Sequence, residues 1–93
     1  MTTKKRIECK ITGQVQGVFF RDFVKQNADR LGLFGFVKNL EEGGVEIAAE
    51  GEEENLKKFL EIIRRGNEYS KIEKMSVRWL PPTGEFSGFE IRF

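Results

Sequence analysis

The hydrophobic period of the chain switches between two values, and each switch falls at a glycine or an acidic turn. Ile7, Cys9 and Ile11 alternate with Glu8, Lys10 and Thr12. That period of two reads as a half-buried strand with its odd positions on the core. From Phe20 the period becomes helical. Phe20, Phe23, Val24, Ala28 and Leu31 fall at i, i+3, i+4, i+8 and i+11, while Arg21, Asp22, Lys25, Gln26, Asp29 and Arg30 cover the opposite face. Gly13 is expected to stop the strand and Gly32 the helix, because glycine accepts the left-handed conformation that follows a last helical turn.

The same alternation continues downstream. Phe34–Leu40 and Val45–Ala49 are β-rich, with Glu41-Glu42-Gly43-Gly44 between them as a hairpin turn and Gly51 as the second strand's expected end. Leu56, Phe59, Leu60 and Ile63 form the apolar stripe of a second helix. Acidic Glu52, Glu53 and Glu54 open that helix and basic Arg64 and Arg65 close it, matching its dipole. Ile72–Leu80 reads as a strand ended by Pro81-Pro82, and Phe89, Ile91 and Phe93 alternate with Glu90 and Arg92 in a final short strand. Trp79 and the phenylalanines other than Phe19 are assigned to the core by default. The order predicts an α+β, ferredoxin-like βαββαβ sandwich. It has an antiparallel sheet, two helices on one face and a short extra C-terminal strand. Residues 1–93 form a single domain, with 1–5 a flexible N-terminal end, and 93 residues suffice for one core.

Composition narrows the chemistry. The chain has no histidine and one cysteine. Histidine bases, His-ligated zinc, internal disulfides and CxxC motifs are therefore excluded. Sixteen Lys and Arg against 15 Asp and Glu leave a net charge of +1, so no global field attracts nucleic acid or an anionic membrane. No apolar run spans a bilayer and no signal peptide opens the chain, which predicts a cytoplasmic protein.

The segment Gly13-Gln14-Val15-Gln16-Gly17-Val18-Phe19-Phe20-Arg21 joins the first strand to the first helix. Its glycines permit a tight bend, successive amides in such a bend form an anion-binding concavity, and the helix start adds further unpaired N–H groups. Arg21 opposes the helix dipole in the first turn. Either it grips an anion through its planar fork, or it pairs with Asp22, another carboxylate or the C-terminal carboxylate. Asn39, ahead of the Glu-Glu-Gly-Gly turn, either caps that turn or holds a water.

Gly13-x-Val15-Gln16-Gly17-Val18-x-Phe20-Arg21 resembles the signature loop of the acylphosphatases, and Leu31-Gly32-Leu33-x-Gly35-Phe36-Val37-Lys38-Asn39 resembles their second signature. Glu42-Gly43-Gly44-Val45-Glu46 and Gly84-Glu85-Phe86-Ser87-Gly88-Phe89-Glu90-Ile91 match as well, so the resemblance runs from about Arg6 to Phe93. Gln14 stands where that family commonly has a basic residue. The resemblance implies hydrolysis of an acyl phosphate to a carboxylate and inorganic phosphate. Under it, Arg21 and Asn39 are the catalytic residues. The loop residues Val15, Gln16, Gly17, Val18, Phe19 and Phe20 cradle the phosphoryl oxygens, and Asn39 orients water. It implies no metal and no covalent intermediate. The expected partners are the acyl phosphate and its product phosphate, with no cofactor, no nucleic acid and no membrane, and a monomer is the default expectation.

Two other classes compete with this reading. Gly32-Leu33-Phe34-Gly35-Phe36-Val37 is similar to an RNA-stacking segment of RRM domains, but it lies on the wrong strand and the first strand offers no aromatic. A non-catalytic anion-binding module would keep the loop without the chemistry. Glu50, Glu52, Glu53 and Glu54 lack calcium-loop spacing and read as helix N-terminal charge. Lys4-Lys5-Arg6 reads as a solvated basic tail, and Cys9 as an inert core thiol.

Overall fold

A computed structural model describes residues 3–17 and 19–93. In chain order the elements are β1 (Lys4–Gln14), α1 (Phe20–Arg30), β2 (Phe34–Asn39), β3 (Val45–Glu52), α2 (Glu53–Arg65), β4 (Lys71–Leu80) and β5 (Phe89–Arg92). The strands form one sheet in the order β4-β1-β3-β2-β5. β1 pairs antiparallel with β3 and β4, and β2 antiparallel with β3, as the ferredoxin-like order requires.

The expected extra C-terminal strand adds one parallel pairing to the antiparallel sheet. β5 runs parallel to β2, from Gly35↔Phe89 to Lys38↔Arg92, which makes the sheet mixed. The connection explains the direction. Leu80 ends β4 opposite Arg6, and Phe34 starts β2 opposite Glu50, which itself pairs with Arg6. Both lie at one end of the sheet. The segment 81–88 crosses under that end, four strand spacings or about 19 Å. It then enters β5 heading the same way as β2.

The core is the meeting of the expected faces. Ile7, Cys9 and Ile11 of β1, Val37 of β2 and Val45, Ile47 and Ala49 of β3 lie against Phe20, Val24 and Ala28 of α1 and Leu56, Phe59, Leu60 and Ile63 of α2. Burial pushes the Cys9 thiol up to about 12, with Arg64 pulling weakly the other way, so the group stays a neutral core atom.

Several local expectations change. Gly13 does not end β1; it sits inside the strand where the register to β4 shifts, at φ +127, and a side chain there would run into the Lys71 carbonyl. Gly51 likewise lies within β3, which ends at Glu52. Lys4 and Lys5, placed by sequence in a flexible end, pair with Glu52 and Gly51. Trp79 and Phe34 are each 43% exposed, and Phe93 is fully exposed, so none belongs to the core. Trp79 lies on β4, an edge strand, at the rim of the helix-covered face beside Glu53 and Lys57 of α2, and Phe93 follows the last strand.

Arg6 and Glu50 are the largest departure. Arg6 is no tail residue: its guanidinium holds Glu8 at 3.0 Å and Glu50 at 2.8 Å. Glu50 is not at a helix start but is buried in β3. There it accepts hydrogen bonds from the Thr83 N–H and hydroxyl and the Gly84 N–H, fastening the 81–88 crossing to the sheet.

Candidate active site

The β1–α1 connection begins where β1 leaves the sheet at Gln14 and ends where α1 starts at Phe20. Gly17 supplies a left-handed turn at φ +70. Phe19 takes the same conformation at φ 59, ψ 22 as the residue before the helix, with no side-chain cap. For a residue with a Cβ that costs about 1–2 kcal/mol. The first helical hydrogen bond runs from the Phe23 N–H to the Phe19 carbonyl at 3.1 Å. The N–H groups of Phe20 and Arg21 therefore precede the helical ladder and have no intrahelical acceptor.

Arg21 is half-buried in the first turn of α1. Its guanidinium donates to the Arg92 carbonyl at 3.1 Å and lies 4.7 Å from the centre of the Phe93 ring. Among the described residues, no aspartate or glutamate is paired with it. The alternatives left open by sequence, Asp22 or another acidic side chain, are not taken. A carbonyl and a ring face fix the guanidinium's position while leaving its charge uncompensated. A cation at this end of the helix is made worse by the dipole and better by an anion between it and the amides.

Gly17, Phe19, Arg21, Asp22, Ile91 and Phe93 line a cavity of about 290 Å³, with Val15 and Phe20 beneath. The Val15 and Phe20 side chains are core residues, 1% exposed, so their contribution to a ligand is confined to the main chain. Phe19 points outward, 72% exposed. Val18 lies outside the described residues.

Asn39 ends β2 opposite Val45 and does not line this cavity. The following turn is closed by its own backbone, Leu40 N–H to Gly44 carbonyl at 3.0 Å and Gly43 N–H to Leu40 carbonyl at 3.1 Å. The Asn39 side-chain oxygen caps nothing. It is buried and without a hydrogen-bond partner among the described residues. Such an atom costs about 1–3 kcal/mol. The link between Asn39 and the loop is Gln16, whose side-chain amide donates to the carbonyls of Leu40 at 2.9 Å and Gly44 at 2.6 Å. Sequence reading placed Gln16 in the loop for its main chain alone. Its side-chain role depends on contacts across more than twenty positions and left no local signal.

Other hollows are larger. One of about 510 Å³ lies on the helix-free face of the sheet beside Arg6, Glu8, Phe36 and Arg78. Another of about 620 Å³ lies beside Phe34, Glu50 and Pro82. In the first, the Arg6 guanidinium is already matched to acids. The Phe36 ring that would stack a base in an RNA reader carries the Arg92 guanidinium at 4.1 Å and an edge contact to Phe86. Chemistry rather than size therefore selects the loop. No group of three or more Cys, Asp or Glu side chains among the described residues is arranged to hold a metal ion.

The architecture is that of an α+β, ferredoxin-like domain. An acylphosphatase family model matches residues 7–91. The acylphosphatase of Caldanaerobacter subterraneus subsp. tengcongensis is 40% identical over 88 residues, which are 95% of this chain and 98% of that protein. The crystal structure of the acylphosphatase from Bacillus subtilis superposes with a TM-score of 0.92 at 38% identity, covering 96% of this chain and 99% of that one. A structure of an acylphosphatase from Coxiella burnetii superposes at 0.89 with 32% identity, covering 96% and 93%. The chain belongs to the acylphosphatase family of hydrolases, and its reaction class is acyl phosphate hydrolysis.

Proposed function

We propose that the phosphoryl group of an acyl phosphate is held by the amides of the 16–21 segment and the Arg21 guanidinium, while Asn39 orients the attacking water. The observation that carries this reading is Arg21 itself. It is a cation set against the helix dipole, fixed by the Arg92 carbonyl and the Phe93 ring, and paired with no acidic side chain among the described residues. An incoming dianion completes that arrangement by charge-assisted hydrogen bonds.

The chemistry asks little more. Phosphoryl transfer is driven mainly by positioning and charge stabilisation. The leaving group is a carboxylate whose conjugate acid has a pKa of about 4, so it departs without a proton. A chain lacking histidine can carry that reaction. An amide accepts and donates hydrogen bonds, which suits Asn39 to holding a water in place, and its unsatisfied oxygen gives that water an acceptor. The reading needs no metal and no covalent intermediate.

The test is hydrolysis of benzoyl phosphate followed with time, with inorganic phosphate as competing product and EDTA in a parallel series. Turnover inhibited by phosphate and indifferent to EDTA is expected. Arg21→Gln is expected to abolish it while circular dichroism stays that of the folded chain. Turnover that survives in Arg21→Gln removes the guanidinium from the mechanism. Phosphate binding without any turnover leaves the chain an anion binder.

A further inference from the structure

We propose that the paired rings of Phe19 and Tyr69 form the acyl subsite of this hydrolase, and that the subsite selects aromatic over small acyl groups. The proposal rests on the assignment of Arg21 to the phosphoryl group and Asn39 to the water.

The two rings belong to separate connections, Phe19 between β1 and α1 and Tyr69 between α2 and β4. Their centroids are 6.3 Å apart with planes at 64°, an edge-to-face contact favoured by ring quadrupoles. Yet Phe19 is 72% and Tyr69 61% exposed. The pair contributes little to the core, and Phe19 additionally holds a left-handed backbone at φ 59. Phe19 lines the cavity beside Gly17 and Arg21, and Tyr69 adjoins that cavity through its contact with the Phe19 ring. A phosphoryl group held there places its substituent beside an apolar surface that already presents two ring edges and faces.

On this proposal the acyl group leaves on the side of the two rings, away from Asn39. In the order β4-β1-β3-β2-β5, Asn39 ends β2 on one side of β1, and Tyr69 lies two residues ahead of the start of β4 on the other. Both lie where β1 finishes. Gln14 pairs with Lys71, the residue that starts β4, and Ile11 and Asn39 both pair with Val45. In-line displacement puts the entering and leaving oxygens on opposite sides of phosphorus. Water entering from the Asn39 side expels the acyl group toward Phe19 and Tyr69. The water oxygen bonds to phosphorus and the bond from phosphorus to the acyl oxygen breaks. Its electron pair stays on the carboxylate, and the water's proton passes to the released phosphate or solvent. A benzoyl group reaches the two rings; an acetyl group is too short to cover them.

The experiment compares kcat/KM for benzoyl phosphate and acetyl phosphate in the parent chain, Tyr69→Ala and Tyr69→Phe. The benzoyl-to-acetyl ratio is expected to fall about five- to tenfold in Tyr69→Ala, the size of one aromatic contact. It is expected to hold in Tyr69→Phe, which keeps the ring. An unchanged ratio in Tyr69→Ala overturns the subsite. Should Tyr69→Ala fail to fold, competition in the parent chain decides. The non-hydrolysable 2-oxo-2-phenylethylphosphonate is expected to bind several-fold more tightly than 2-oxopropylphosphonate, and equal binding overturns the proposal. Acetyl phosphate hydrolysis with no aromatic preference sinks the subsite alone. Hydrolysis of neither substrate sinks the proposed mechanism, and the subsite with it.

Discussion

The side-chain amide of Gln16 donates a 2.9 Å hydrogen bond to the carbonyl of Leu40, the residue next to Asn39. A second bond, to Gly44, closes the clamp. One side chain thus ties the β1–α1 loop to the end of β2, and the two halves of the proposed site keep their spacing through it.

Removing that clamp is expected to act on rate before binding. Gln16→Ala leaves the main-chain amides and Arg21 in place, so inhibition by phosphate should change less than twofold. Looser spacing between loop and Asn39 should lower kcat about tenfold, since small displacements of a positioned water are costly. Gln16→Glu should do no better, because a carboxylate cannot donate to two carbonyls. Steady-state kinetics with phosphate as inhibitor check this; a loss confined to phosphate affinity would contradict it.

Asn39→Ala separates the two proposed roles differently. If Asn39 holds water, the variant should lose kcat by a factor of about 10²–10³ with phosphate affinity nearly intact. A large loss of phosphate binding would make Asn39 a ligand contact. Stability offers a second readout. The variant removes a buried oxygen that has no hydrogen-bond partner among the described residues, so it should cost less in urea unfolding than loss of a satisfied buried polar group.

The elements and the loop were legible because each is a local pattern. Ile7, Cys9 and Ile11 repeat at two, Leu56, Phe59, Leu60 and Ile63 repeat at helical spacing, and Gly17 and Arg21 sit at the junction between the periods. What was not legible is long-range. A period of two does not say that β4 is an edge strand, so Trp79 passed for a core residue. The direction of β5 is set by where the 81–88 crossing begins, not by Phe89–Arg92 themselves. Arg6 with Glu50 and Gln16 with Leu40 are partners far apart in the chain. Each looked solvated or local until the sheet brought its partner near.

Glu50 makes the stability of the chain sensitive to acid. Burial alone would raise its pKa. Hydrogen bonds from the Thr83 hydroxyl, the Gly84 N–H, the Arg6 guanidinium and the Thr83 N–H outweigh that and hold it at about 2. The unfolded chain binds that proton near pH 4.3. A depressed folded pKa stabilises above the unfolded value and loses that contribution as pH falls through the folded one. About 3 kcal/mol is therefore expected to disappear between roughly pH 5 and pH 2. Glu50→Gln should lower stability at pH 7 and flatten the pH dependence in that window. Urea midpoints from pH 7 to pH 2.5 test it, and parallel curves for the two proteins would refute the assignment.

Gly35 is fixed by its neighbour rather than by a turn. It sits within β2 at φ +150, paired with Ala49 on one side and Phe89 on the other, and its N–H donates to the Gly88 carbonyl at 2.9 Å. A Cβ added there would collide with the Ala48 carbonyl oxygen and stand 2.8 Å from its carbon. Those atoms are backbone of β3, between two hydrogen-bonded neighbours, and cannot yield as a side-chain tip would. Gly32, at φ +67 after α1, has the same conformational bias with open space around it. Gly32→Ala should therefore cost about 1 kcal/mol, the left-handed penalty alone. Gly35→Ala adds a steric clash in the sheet and should cost about 3 kcal/mol or more. Urea unfolding of the two variants, with m-values compared to confirm that both states are unchanged, measures the difference. Equal midpoints would mean that β2 and β3 approach less closely at Gly35 than the close passage of Ala48 requires.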